Sequence, residues 1–121
     1  MEKFNRLPKH IGVIPDGNRR WAKLQGLEKQ DGYANGLQPG LDLFCQAKEY
    51  RIEELTFYGF TVDNCKRPVV QVQAFQKACV DAVHMITEKG ADLLVIGNAQ
   101  SKCFPPELIQ YTKCVFGFLC N

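Results

Sequence analysis

The stretch His10-Ile11-Gly12-Val13-Ile14-Pro15-Asp16-Gly17-Asn18-Arg19-Arg20-Trp21-Ala22 decides how the rest of this chain is read. Residues 11–14 form a short apolar run that predicts a strand, stopped at Pro15, which has no N–H to give a ladder. A carboxylate, a glycine, an amide and two arginines follow at once. A helix is predicted from residue 17 to about residue 25, with Gly26 as its stop. Such a junction suits a metal-bound phosphate. Asp16 is a hard oxygen ligand fit for Mg²⁺. Gly17 lets backbone approach a ligand closely. The helix start offers unpaired N–H groups to an anion, and Arg20 can grip phosphate oxygens in bidentate fashion. The competing reading is that Asp16 and Asn18 only cap the helix.

Working outward, elements alternate. Residues 31–36 are expected to be a loop or a weakly formed turn. A second helix is predicted to begin near Pro39, a residue suited to a first helical position, and to run to about Tyr50. Residues 55–60, Leu-Thr-Phe-Tyr-Gly-Phe, are β-branched and aromatic and predict a strand. The clearest helix spans residues 69–89, where Val72, Phe75, Cys79, Ala82, Val83 and Ile86 recur every three or four positions. Residues 92–97 predict a strand buried on both faces. Pro105-Pro106 opens a short helix over 107–112, and the apolar residues 115–121 suggest the start of another strand. This order predicts an α/β fold, a central mostly parallel sheet with flanking helices. Ligands in such sheets bind beyond the carboxyl ends of the strands, so the loops after Ile14, Phe60 and Ile96 matter most.

The bulk properties narrow the class. A chain of 121 residues favours one domain over residues 1–121. With 45% hydrophobic and 23% charged residues it is expected to be globular, and a net charge of +2 gives no case for nucleic acid. No apolar run reaches the ~20 residues of a membrane span. The N-terminus lacks the apolar core of a signal peptide, which places the expected location in the cytoplasm and leaves peripheral membrane-surface contact open. Six cysteines, none in C-x-x-C spacing, are read as free thiols acting as small apolar side chains.

The second loop, Thr61-Val62-Asp63-Asn64-Cys65-Lys66-Arg67-Pro68, repeats the chemistry of the first. It too follows a strand, precedes a helix, and combines a hydroxyl, an amide and an arginine. A solvated turn is the alternative. Two such loops on neighbouring strand ends suit a site for two phosphate groups and one metal. The third loop, Gly97-Asn98-Ala99-Gln100-Ser101, is read as a plain turn.

These residues resemble the cis-prenyltransferase family, whose familiar member is undecaprenyl diphosphate synthase. The likeness rests on His10-Ile11 through Asp16-Gly17-Asn18-x-Arg20-Trp21-Ala22. It rests also on residues 55–61 with Asn64 and Arg67-Pro68, and on Leu94-Val95-Ile96-Gly97-Asn98. The resemblance implies condensation of isopentenyl diphosphate with an allylic prenyl diphosphate, forming a cis double bond. Carried over to this chain, it implies that Asp16 holds Mg²⁺ on a diphosphate and that Arg20, with backbone N–H groups from Gly17 onward, holds the allylic diphosphate. Asn18 and Asn64 would orient groups at the reacting centre. Arg67 would bind isopentenyl diphosphate with Thr61 nearby, and Trp21 would pack beside the site. Lys29 and Tyr33 stand at substrate-side positions of the pattern.

Departures are visible. Arg19 stands where the family has a glycine, Lys29 where an arginine is common, Tyr33 in place of a histidine, Cys65 of a tryptophan and Gln71 of a glutamate. Family members are longer, and the resemblance places an Arg-x-Ser region and a glutamate in their second half, near where this sequence stops. The expected assembly is a homodimer or a pairing with a full-length relative. Two other readings stand beside catalysis: a non-catalytic prenyl-diphosphate-binding partner, and a nucleotide- or sugar-phosphate-binding domain. The last lacks both G-x-G-x-x-G and G-x-x-x-x-G-K-[ST].

Overall fold

A computed structural model describes residues 4–112. Along them run β1 (His10–Val13), α1 (Asn18–Leu24), α2 (Asp31–Asn35), α3 (Leu37–Glu49), β2 (Glu54–Phe57) and α4 (Val69–Glu88). Short 3₁₀ turns occupy Asn64–Lys66 and Pro106–Tyr111.

The two strands pair in parallel, His10 opposite Glu54 through Val13 opposite Phe57. The pairing extends one bond further, Tyr58 N–H to the Val13 carbonyl at 2.9 Å, and stops where Pro15 has no donor. Ile11 and Val13 are the more buried alternate positions of β1, and Leu55 and Phe57 match them across the ladder. Because the strands run the same way, the loops at 14–17 and 58–68 leave the sheet at the same end. That is the α/β order expected, and it is what brings the two loops into one neighbourhood.

The helices begin and end for local reasons. Gly17 lies in the left-handed region, φ 87°, and its carbonyl takes the first helical N–H, from Trp21, at 2.8 Å. No side chain caps α1, so capping is not what Asp16 and Asn18 do here. Gly26, φ 75°, stops the chain just past α1, as expected. α3 begins at Leu37, two residues before Pro39, whose missing N–H falls in the first turn and costs no helical bond. α4 runs as its apolar stripe predicts.

Of the loop or weakly formed turn expected over 31–36, the turn is found, as the single helical turn α2 over 31–35. Its five residues, with Gly32 among them, predict a poor helix, and packing against α1 and α4 supplies what propensity lacks. Two expectations are corrected. The strand β2 ends at Phe57, and after the one further bond from Tyr58 the chain leaves the ladder, so Phe60 lies outside it. Residues 92–97 form no strand. Among the described residues their backbone tie to the rest of the fold is one bond, Val95 N–H to the Tyr111 carbonyl at 2.9 Å. Leu93 and Val95 are half-buried while Leu94 and Ile96 are exposed, so the run is covered on one face only. The strand expected over 115–121 lies outside the described residues.

The core is built from small side chains. Ala22, Tyr33, Ala47, Ala78, Val80, Cys103 and Leu108 are buried, and Ala22 is wholly so. Small residues permit close helix contact: a Cβ on Gly32 would collide with the backbone carbonyl of Asn18, and Ala22 lies beside it. Cys45, Cys65, Cys79 and Cys103 are free thiols, as read from the sequence. Among the described residues no helix is long and apolar enough to cross a membrane.

Two outcomes follow. Gly32→Ala is expected to destabilise the fold by about 1–3 kcal/mol through overpacking. Gly40→Ala, in α3 with open space around its Cβ position, is expected to stabilise by about 0.5–1 kcal/mol. Urea denaturation of both variants checks the contrast. Burial pushes the Cys79 thiol from its ordinary 9.0 up to about 12. The folded chain therefore holds that proton longer than the unfolded chain. The stability this contributes is full below pH 9.0 and is lost as pH rises toward about 12. The gap in urea midpoint between the native protein and Cys79→Ala is expected to narrow between pH 8.5 and 10.5.

Candidate functional site

The end of β1 delivers Asp16, and the left-handed turn at Gly17 swings the chain into α1, which carries Arg20 one turn on. Asp16 Oδ1 accepts the Gly17 N–H at 2.7 Å, and Asp16 Oδ2 accepts from the Arg20 guanidinium at 3.4 Å. Both side chains are about four-fifths exposed, 80% and 78%. An exposed i,i+4 pair is worth roughly 0–1 kcal/mol, so it is no stability device. It is a carboxylate and a guanidinium held side by side facing solvent.

The carryover onto Gly17 needs one correction. Its N–H is committed to Asp16, so the donors left free at the head of α1 belong to Asn18, Arg19 and Arg20. α1 has 7 residues, too few for a strong dipole, so any anion arriving there would meet chiefly the Arg20 side chain. Asn18 turns the other way. Its carbonyl lies against Gly32, and its Oδ1 would stand 2.8 Å from a Cβ on Gly36, so it is wedged under α2. Trp21 is half-exposed on α1, at 42%.

The second loop is held from two sides. Thr61 Oγ1 accepts both the backbone N–H of Asn64 at 3.2 Å and its Nδ2 at 3.0 Å, leaving the Thr61 O–H to donate outward. Arg67 donates to the Tyr33 hydroxyl at 2.9 Å. Tyr33 is itself buried, and its ring stacks on Phe75 of α4 with centroids 5.0 Å apart and 10° between planes. Phe60 packs on the same Phe75 at 4.4 Å. Tyr33 thus orients Arg67 from beneath. Lys29 is exposed in the turn leading into α2, away from these bonds. Asn98 folds back on its own turn, accepting the Gln100 N–H at 3.0 Å, as a plain turn should.

Besides Tyr33–Arg67, sequence reasoning missed a second contact that joins the elements. Arg19 donates to Gln71 Oε1 at 3.3 Å, linking α1 to the first turn of α4. Both positions were noted as departures from the family pattern. A glycine-to-arginine and a glutamate-to-glutamine change that bind each other are the signal that could have found it.

The donor set suits one magnesium ion held jointly with a ligand. Among the described residues no three His, Cys, Asp or Glu side chains cluster, so no all-protein metal cage is built. Asp16 is exposed, and each of its oxygens keeps a free lone pair beyond the bonds above. Mg²⁺ is commonly held through one or two carboxylates with substrate phosphates and water.

Comparison with known proteins shows the family. The Prenyltransf family model, undecaprenyl diphosphate synthase, matches residues 14–115. An isoprenyl transferase of Heliobacterium mobile is 35% identical over 100 residues, 79% of this chain and 38% of that protein. A chloroplastic dehydrodolichyl diphosphate synthase of Solanum lycopersicum is 37% identical over 97 residues, 77% of this chain and 31% of its own. A (2E,6E)-farnesyl-diphosphate-specific ditrans,polycis-undecaprenyl-diphosphate synthase of Haemophilus ducreyi is 34% identical over 85 residues, 70% of this chain and 35% of its own. The chain belongs to the cis-prenyltransferase family. It spans about a third of the length of these relatives, 38%, 31% and 35%.

Tyr33→Phe removes the hydroxyl that holds Arg67 and keeps the ring stack. It is expected to cost about 0.5–1.5 kcal/mol of stability. Crystallography of the variant is expected to show Arg67 displaced with the Phe75 stack intact.

Proposed function

We propose that this chain carries the diphosphate-binding part of a cis-prenyltransferase site and acts in condensing isopentenyl diphosphate with an allylic prenyl diphosphate. The observation that carries this reading is the Asp16–Arg20 pair, exposed at the end of β1 and worth little as structure. It lies at the same sheet end as the loop bearing Thr61, Asn64 and Arg67. The farnesyl-diphosphate specificity in the Haemophilus ducreyi protein's name supports farnesyl diphosphate as the allylic substrate to try first.

In this reading Arg20 and the free N–H groups at the head of α1 take the allylic diphosphate. Asp16 would hold Mg²⁺, which supplies charge neutralisation of the departing diphosphate when bound. Arg67, fixed by Tyr33, takes the diphosphate of isopentenyl diphosphate, with the free Thr61 O–H beside it. Asn64 shapes that loop through its bonds to Thr61. Asn18 acts indirectly, by seating α2 and so Tyr33. Exposed Ile14, Trp21, Val62, Val69 and Val70 come from the same loops and the helices they feed, offering apolar surface for a prenyl tail. The assembly proposed is a homodimer or a pairing with a full-length relative, in the cytoplasm.

Calorimetric titration of the purified chain with farnesyl diphosphate tests the binding half. Binding is expected to strengthen with Mg²⁺ and to fall about 10–100-fold in Asp16→Ala and in Arg20→Ala, the loss of one charged contact. Affinity unchanged from the native chain in both variants would sink the site assignment, and tighter binding of ATP would favour a nucleotide domain. Labelled isopentenyl diphosphate then tests condensation. Incorporation abolished in Asp16→Ala supports catalysis by this chain. Binding without incorporation, relieved on adding a full-length relative, makes it the binding partner instead.

A further inference from the structure

Arg19 leaves the head of α1 beside Arg20, and its tip ends on α4, where Nη1 donates to Gln71 Oε1 at 3.3 Å. Gln71 is tied in turn to the second loop, its backbone N–H donating to the carbonyl of Pro68 at 2.9 Å, one residue past Arg67. The Arg19 side chain therefore spans from the helix that follows the first loop to the helix that follows the second. It is half-buried, whereas Arg20 is exposed.

The partner of Arg19 is neutral. Glutamine accepts the N–H without supplying a charge. The ion pairs among the described residues join His10 to Glu54, Asp16 to Arg20, Asp63 to Lys66 and Lys77 to Asp81, and none takes in Arg19. A tie whose only task was to hold α1 against α4 would gain from a carboxylate at position 71, because an ionised acceptor makes the stronger bond. A half-buried cation without a counter-charge has given up part of its hydration and lacks a replacement for it. An arriving anion supplies that replacement. A guanidinium carries several N–H donors in a fixed fork, and the bond to Gln71 uses one and so aims the others.

We propose that Arg19 is a further binding residue for a substrate diphosphate, aimed by Gln71 and left fully charged because residue 71 is neutral. This rests on the diphosphate-binding reading above and adds to Arg20 and Arg67 a third arginine, one whose charge is set from α4. Gln71 is a positioning residue: it touches Arg19 and not the ligand. The side chain at position 71 thereby tunes how strongly the site holds an anion, without itself meeting the anion.

Two substitutions separate this from a purely structural tie, because stability and affinity then move in different directions. Gln71→Glu keeps the length and the acceptor of the side chain and adds a negative charge beside Arg19. A glutamate also suits the first turn of α4, which holds no acidic residue. The urea midpoint of Gln71→Glu is expected to equal or exceed the native value. Its binding of farnesyl diphosphate, titrated calorimetrically with Mg²⁺, is nevertheless expected to weaken about 3–10-fold. Arg19→Gln, which removes the charge, is expected to weaken binding about ten-fold. Inorganic diphosphate is expected to show the same losses, because Arg19 meets the head and not the tail. Should Arg19→Gln fail to fold, Gln71→Glu carries the test alone. Native or tighter affinity in Gln71→Glu, a lowered urea midpoint in it, or native affinity in a folded Arg19→Gln would each overturn the proposal. If Asp16→Ala and Arg20→Ala lose affinity in the same series while these two variants do not, the diphosphate-binding reading stands and only the part of Arg19 falls. Native affinity in all four variants sinks both.

Discussion

The carbonyl oxygen of Asn18 occupies the space that a side chain at position 32 would need. Only a glycine there allows the turn of α2 to lie against the head of α1, and Gly36 repeats the arrangement over the Asn18 side chain. Gly32 makes α2 an unfavourable helix taken alone, by about 1 kcal/mol against alanine. The contact it permits is what keeps α2 helical. From that contact the rest follows by rigid geometry. Tyr33, next to Gly32, is carried into the core, stacks on Phe75 and presents its hydroxyl to Arg67. One close backbone approach thereby sets the position of an arginine that is distant in sequence.

The two cationic groups of the site are consequently prepared to different degrees. Arg67 is part-buried and held at 2.9 Å by a hydroxyl that sits on a rigid aromatic stack. Arg20 is exposed and tethered only by a 3.4 Å contact to an equally exposed carboxylate. Ordering a long exposed side chain costs up to ~2 kcal/mol of rotamer entropy, and Arg67 has already lost much of that freedom on folding. An anion arriving at Arg20 must order it and compete with Asp16 for it. A cation bridging Asp16 and the anion would relieve that competition, which is the physical reason a carboxylate belongs beside an anion-binding arginine at all.

Much of this was legible in the sequence, and what was not has identifiable causes. The strand before Pro15, the stop at Gly26 and the apolar stripe of α4 each follow from one residue's backbone chemistry or a strong period, so they hold in isolation. α2 was legible only as a loop or weakly formed turn because its helix depends on packing against α1 and α4. Residues 92–97 misled for the opposite reason. An apolar run announces a wish for burial, but a strand needs a neighbour with free donors and acceptors, and here the described partner is a single Tyr111 carbonyl. Of the site, residue types and loops were readable, whereas the Tyr33–Arg67 and Arg19–Gln71 contacts cross between elements and no local pattern encodes them.

The surroundings of the charged groups bear on ligand type as much as the charges do. Ile14 is 72% exposed, Val62 76% and Val69 69%, all in or directly after the loops that carry Asp16 and Arg67. A nucleotide site would place donors and acceptors there to read a base and a ribose. Apolar side chains left in water beside these charged groups are unfavourable by about 25 cal/mol per Å² of exposed surface until something apolar covers them. A prenyl diphosphate has both ends that this surface asks for, an anionic head for the arginines and a hydrocarbon tail for the isoleucine and valines. Each buried methylene would contribute about 0.8 kcal/mol. If the proposed site takes prenyl diphosphates, discrimination against inorganic diphosphate would come from that apolar rim, since the charged groups alone would meet the same head in both.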